Sequence, residues 1–120
     1  MKIENFSILP GSELKLLKSL ELGCSGIITA TCNVTASISR KVYDDFNKKK
    51  KQTANEMLCN VRNVFDQFNL ISGLHSFMSD EDIIYKNVLP PLSLLSDKDK
   101  KKLLEDLNKL NFKIGSLKAA

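Results

Sequence analysis

The sequence predicts an α/β fold that is mostly helical by residue count. Two short apolar runs, Phe6 with Ile8 and Leu9 and then residues 27–34, have the length of buried strands, and the second is rich in Ile, Val and Thr. Between them Leu14, Leu17 and Leu20 recur at helical spacing, with Leu16 and Leu22 widening the stripe. After Asn33 the apolar residues keep a helical period almost to the end of the chain. Strand, helix, strand of this length is a βαβ unit with a parallel pair. Such a pair must be covered on both faces and leaves both edges open, so the unit reads as part of a larger sheet.

Each element has local signals. Pro10-Gly11 ends the first strand, Ser12 is the N-cap of the following helix, and Glu13 suits the positive end of its dipole. Gly23 is its stop signal, and Gly23 and Gly26 bracket the return into the second strand. Ser37 is then expected to cap a helix over residues 38–50, in which Ile38, Val42, Tyr43 and Phe46 form the apolar face. A further helix runs from Ala54 through Met57, Leu58, Val61, Val64 and Phe65 to Phe68, and residues 69–73 are expected to break it. Ser79-Asp80-Glu81-Asp82 has the pattern of a capping box for a short helix through Ile83, Ile84, Lys86 and Val88, which Pro90 and Pro91 end. Ser96 caps the last helix, whose face is Leu103, Leu104, Leu107 and Leu110 and whose end lies at Asn111 and Phe112. Residues 113–120 are expected to be loosely held. The chain thus divides into residues 1–50, the strand-bearing part, and residues 51–120, a helical part and tail.

Composition narrows the function. At 120 residues, 42% hydrophobic and 27% charged, the sequence is that of an ordinary globular domain. No apolar stretch approaches the roughly 20 residues that span a bilayer, and residues 1–5 are too polar and short to open a signal peptide, so a cytoplasmic protein with no membrane contact is expected. Cys24, Cys32 and Cys59 are odd in number and widely spaced, which fits buried reduced thiols better than disulfides or a zinc site. The lysine runs near Lys48 and Lys100 lack interleaved aromatics or a glycine-rich loop and read as solvated helix faces, with no nucleic-acid partner. His75, the single histidine, has no clustered carboxylate or cysteine in sequence and reads as a packing or surface residue. No metal site and no cofactor are implied.

With the strands placed, Gly11-Ser12-Glu13 and Gly26-Ile27-Ile28-Thr29-Ala30-Thr31-Cys32-Asn33-Val34 fall at telling spacings. They resemble the ends of the seventh and eighth barrel strands in the dihydrodipicolinate synthase and N-acetylneuraminate lyase family of Schiff-base aldolases. Pro90-Pro91-Leu92-Ser93-Leu94-Leu95-Ser96 resembles the passage before that family's final helix. The resemblance runs over residues 6–112. The chain departs from the family in three places: Ser12-Glu13 stands for the usual acidic pair, Thr29 for a serine, and Thr35-Ala36-Ser37 lacks the frequent proline.

The resemblance implies the C-terminal part of a (β/α)₈ TIM barrel: the last two parallel strands with their helices in residues 1–50, then a three-helix appendage in residues 51–120. It implies a lyase that takes pyruvate or another 2-oxo acid through an imine to a lysine on the sixth strand, in a homo-oligomer. A barrel of this type needs about 250 residues, so the catalytic lysine and a proton-relaying tyrosine belong to strands absent here, and no catalytic role falls to any residue of this chain. A partner chain carrying the N-terminal half barrel would complete it, and the chain alone is expected to be inactive. The substrate rim carries over as Gly11, Ser12, Glu13, Ile28 and Thr29, because barrel sites form at the C-terminal ends of strands. Without the resemblance, Gly11 is a turn glycine, Ser12 a helix cap and Ile28 a core residue. The alternative function is then a stand-alone, non-catalytic helical interaction module.

Overall fold

The computed structural model describes residues 3–113; of the tail expected to be loosely held, residues 114–120 lie outside the described residues. A 3-10 turn at Glu13–Lys15 runs into helix α1 (Leu16–Glu21), followed by α2 (Cys32–Asn47), α3 (Asn55–Phe65), α4 (Leu70–Met78), a second 3-10 turn at Ile83–Lys86, and α5 (Asp97–Lys109).

Among the described residues no regular strand forms, which corrects the expected βαβ unit in one respect. The two segments still run side by side in the same direction: Ser25 N donates to Ile8 O at 3.0 Å and Ile28 N to Pro10 O at 3.2 Å. The acceptors are two positions apart and the donors three, so one extra residue interrupts the ladder. Gly26 lies within that extra step with φ +149, a value open to glycine and rare for other residues.

The second segment is also shorter than expected. Residues 32–34, read as the end of a strand, are the first turn of α2, which begins at Cys32 and not at Ile38, so Ser37 lies inside the helix and caps nothing. Threonine hydroxyls make the difference, because β-branched residues favour strands yet their oxygens bond well at a helix start. Thr29 Oγ1 accepts from Cys32 N at 3.0 Å, and Ala30 O accepts from Asn33 Nδ2 at 2.8 Å.

Helix α4 is not among the expected elements: it occupies the stretch read as a break and the residues before the next cap. Asn69, expected in a break, is the N-cap of α4, its Oδ1 accepting from Ile71 N and Ser72 N, each at 3.1 Å. Gly73 lies inside that helix and faces α3: a Cβ there would stand in ordinary contact, 3.6 Å, with the Phe65 ring. The Ser79 to Asp82 capping box is replaced by a single cap, Asp82 Oδ1 accepting from Ile84 N at 2.9 Å. Ser79 instead closes α4, its hydroxyl donating to Ser76 O. No residue of Ile83–Lys86 is buried, and the expected helix is reduced to a short 3-10 turn. Ser96 caps α5 as expected, accepting from Asp99 N at 3.2 Å.

Two hydrophobic clusters hold these helices. One joins Leu16 and Leu20 of α1 to Val42 of α2 and to Ala54 and Leu58 at the start of α3. The larger joins Val61, Val64 and Phe65 of α3 to Val34, Leu74, Phe77, Leu103, Leu107 and Phe112. Helix α3 serves both. On α1 the buried face is Leu16 and Leu20, while Leu14 and Leu22 of the expected stripe are exposed. Phe6, Ile8 and Leu9 of the first segment, and Ile28 at 70% exposure, leave the paired segments with an open apolar surface. The three cysteines are free and half-buried, where buried thiols were expected.

Candidate functional site

At the end of the paired segments a fully buried carboxylate gathers the chain around it. Glu13 enters from the 3-10 turn that Ser12 opens: Ser12 O accepts from Lys15 N at 3.1 Å and Ser12 Oγ from Leu14 N at 3.3 Å. Three threonines of the second segment and the start of α2 surround Glu13 Oε1. Thr29 Oγ1 donates to it at 2.7 Å, Thr31 Oγ1 donates to it, and Thr35 Oγ1 lies at 3.0 Å. Thr35 Oγ1 is also 3.0 Å from Thr31 O, and its one proton is shared between the two acceptors.

The countercharge arrives from the other part of the chain. Arg62 of α3, itself buried, brings Nη1 to 2.7 Å from Glu13 Oε2 and 3.1 Å from Thr31 Oγ1, and its Nε donates to Asp66 Oδ1 at 2.8 Å. Burial pushes the Glu13 carboxyl up, but hydrogen bonds from Thr31, Thr29, Arg62 and its own backbone outweigh this and hold it below the usual glutamate range. For Arg62, burial opposes the charge and the bonds to Glu13 and Asp66 overcome it, so the guanidinium stays protonated. Burial, then the Glu13 charge, pushes the Cys59 thiol up, which keeps it a neutral thiol. Among the described residues no group of three or more His, Cys, Asp or Glu stands together as a metal site.

The five residues expected at a substrate rim lie close together here. A Cβ on Gly11 would sit 3.8 Å from Ile28 O, so these two positions face each other, and Thr29 is bonded to Glu13. Ile28 is exposed, not core, and Ser12 and Thr29 are half-buried. The Glu13 carboxylate is engaged on both oxygens and faces its partners. Sequence reasoning missed Arg62, Thr31 and Thr35. The signal was present on α3: Leu58, Val61, Arg62 and Phe65 share one face, and an arginine on a buried stripe requires an acidic partner.

Residues 2–110 match the dihydrodipicolinate synthetase family. The chain belongs to that family. No curated protein matches it. The family match takes in the whole network from Gly11 to Asp66 and every helix described above. In this dihydrodipicolinate synthetase family chain, the helix that carries Arg62 is therefore tied to the ends of the paired segments by a buried ion pair as well as by packing. No described helix is long and apolar enough to cross a membrane.

Proposed function

We propose that the chain is the C-terminal part of a dihydrodipicolinate synthase-like lyase, with residues 1–50 as the last two βα units of its barrel and residues 51–120 as the helical appendage. The family match over residues 2–110 carries this reading. The same-direction pairing and the open apolar side chains of Phe6, Ile8 and Leu9 support it, since such a surface fits against further strands and their helices.

The reaction is that of a class I aldolase. A desolvated, neutral lysine attacks the carbonyl of pyruvate or another 2-oxo acid and water leaves. In cleavage the protonated imine nitrogen takes up the electrons of the breaking carbon–carbon bond as the aldehyde leaves. In condensation the carbon beside the imine gives its proton to the proton relay, and the resulting enamine attacks the aldehyde carbonyl. The lysine and the proton-relaying tyrosine come from the rest of the barrel. This chain contributes the rim: Gly11 allows close approach to backbone, Ser12 and Thr29 offer hydroxyls, and Ile28 gives an aliphatic wall. Glu13 acts as a positioning residue, holding Thr29 and the Ser12 turn in place. The complete enzyme is a cytoplasmic homo-oligomer.

Borohydride trapping with pyruvate, read by intact mass, tests this. The isolated chain is expected to take no adduct, and a mixture with an N-terminal half barrel of the family to take one on the half barrel alone. An adduct on the isolated chain would overturn the assignment of the lysine. No adduct in the mixture favours the second reading, a non-catalytic helical interaction module. The observation behind that reading is that α3 joins two continuous cores within this chain.

A further inference from the structure

We propose that the chain associates head to tail with a second copy of itself, the acidic and apolar turn that leads into Ile83–Lys86 of one copy seating in a basic cleft of the next. The cleft is about 600 Å³ and lies between α1, the end of α2 and the connection to α3. Leu17 and Phe46 give it apolar walls, and Lys49 and Lys50 line it as cations. The carboxylate that lines it, Glu21, is held by Lys18 at 3.2 Å.

The four lysines of residues 48–51, read from the sequence as a solvated face, are set apart by having no counterion. Lys18, Lys41, Lys100, Lys101, Lys102 and Lys109 each stand within 4.0 Å of a carboxylate. Among the described residues none of the four does, and all are exposed. Four unpaired like charges in a row repel one another, a cost that an acidic partner removes. Lys49 also takes φ +54, which glycine or asparagine adopts more readily, so the cation is kept where the backbone disfavours it.

A group of matching chemistry stands at the other end of α2. Glu81 and Asp82 are exposed and have no cationic partner, and Ile83 and Ile84 directly after them are 74% and 62% exposed. Asp80 is engaged by Lys100 at 2.6 Å, and Lys86 is the cation of the turn, at its far end. Two free carboxylates followed by two bare isoleucines complement two lysines beside walls of leucine and phenylalanine. Within one chain the two features cannot meet. Tyr85 of the turn lies with Ala30 and Asn33 at the start of α2, the lysines follow its end, and a helix of 16 residues is about 24 Å long. The contact therefore joins different copies. Because turn and cleft are different surfaces it is heterologous, and each pair of copies keeps one turn and one cleft open for the next.

The contact uses neither the paired segments nor the residues at their ends, so it stands apart from the lyase reading. Sedimentation velocity of the 120-residue chain tests it. At low salt the average sedimentation coefficient is expected to rise with protein concentration past that of a dimer. In 1 M salt, where charges are screened beyond about 3 Å, it is expected to return to the monomer value. Association through the open apolar side chains of the paired segments would instead hold in salt. Lys49→Glu with Lys50→Glu disables the cleft, and Glu81→Lys with Ile84→Ser disables the turn. All four sites are exposed, and circular dichroism checks that both variants are folded. Each variant alone is expected to self-associate at least about tenfold more weakly than the unmodified chain. An equimolar mixture of the two is expected to form one-to-one dimers and nothing larger, because the first keeps its turn and the second its cleft. Absence of salt-sensitive association in the unmodified chain would overturn the proposal, as would full-strength association of either folded variant or a mixture that stays monomeric. Binding of a polyglutamate peptide to the lysines without self-association would also overturn it, and would assign them to a different acidic partner.

Discussion

At the residue scale the molecule turns on one buried charge pair. Glu13 and Arg62 are 49 positions apart and meet at 2.7 Å with both groups out of water. Removing one member of such a pair leaves the other charged and unsolvated, which costs about 3–5 kcal/mol. Arg62→Met is therefore expected to lower the stability of the chain by that amount in urea unfolding. Glu13→Gln combined with Arg62→Met should recover part of the loss, because no bare charge remains. Arg62→Lys is a poor substitute, since one ammonium cannot reproduce the fork that reaches both Glu13 and Asp66. The pH dependence follows from the same network. The carboxyl of Glu13 is depressed in the folded state, so the unfolded chain binds its proton more readily. The stability it contributes is complete above the ordinary glutamate pKa and is lost as the pH falls through the lower, folded value. Urea midpoints measured from neutral to acid pH should fall on the acid limb, and the limb should be shallower in Glu13→Gln.

At the element scale, three helices end in the same way. After α1, Gly23 N donates to Leu20 O at 3.0 Å and Cys24 N to Ser19 O at 2.9 Å, with Gly23 at φ +86. After α2 the corresponding bonds run from Lys49 to Phe46 O and from Lys50 to Asp45 O, and after α5 from Asn111 to Asn108 O and from Phe112 to Leu107 O. The left-handed residue is thus glycine in one case, asparagine in another and lysine at φ +54 in the third. A side chain in this conformation costs about 1 kcal/mol, so Lys49→Gly is expected to raise stability by about 0.5–1 kcal/mol. Gly23→Ala is expected to lower it by about 1 kcal/mol although nothing crowds the added methyl group, since the cost is in the backbone. Thermal unfolding of the two variants checks both signs. The Gly23 stop and the Ser96 cap could be read in the sequence because each is a local residue choice. The starts of α2 and α4 could not, since threonine and asparagine serve strand, turn and cap alike until the neighbouring N–H groups are in place.

At the scale of the whole molecule, two cores share α3, while the paired segments turn apolar side chains outward. Those outward residues add little to the stability of the chain and are the surface on which the proposed half barrel would sit. Phe6→Ser combined with Ile28→Ser is therefore expected to change unfolding free energy by no more than about 0.5 kcal/mol per site, the range of exposed substitutions. The same variant should lose association with the half barrel in sedimentation experiments. A large loss of stability in the isolated chain would mean that these residues pack within it and are not an interface.

The sequence by itself determined the family, four of the five α-helices and their order, and that Gly11, Ser12, Glu13, Ile28 and Thr29 lie near one another; it did not show α4, which falls where a break was expected. These rest on local chemistry and on motif spacing that survive without coordinates: Gly11-Ser12-Glu13, the Gly26 to Asn33 run, and the capped leucine stripe of α5. Tertiary structure decided what those residues do. A glutamate at a helix start has the same local signature whether it faces a ligand or a buried arginine, and only the packing of α3 against α1 and α2 brings Arg62 to it. Whether the two apolar runs become regular strands was likewise not a local matter. Strands are stabilised by neighbours on both edges, and with one pairing and the extra residue at Gly26 these segments remain side by side without forming a ladder.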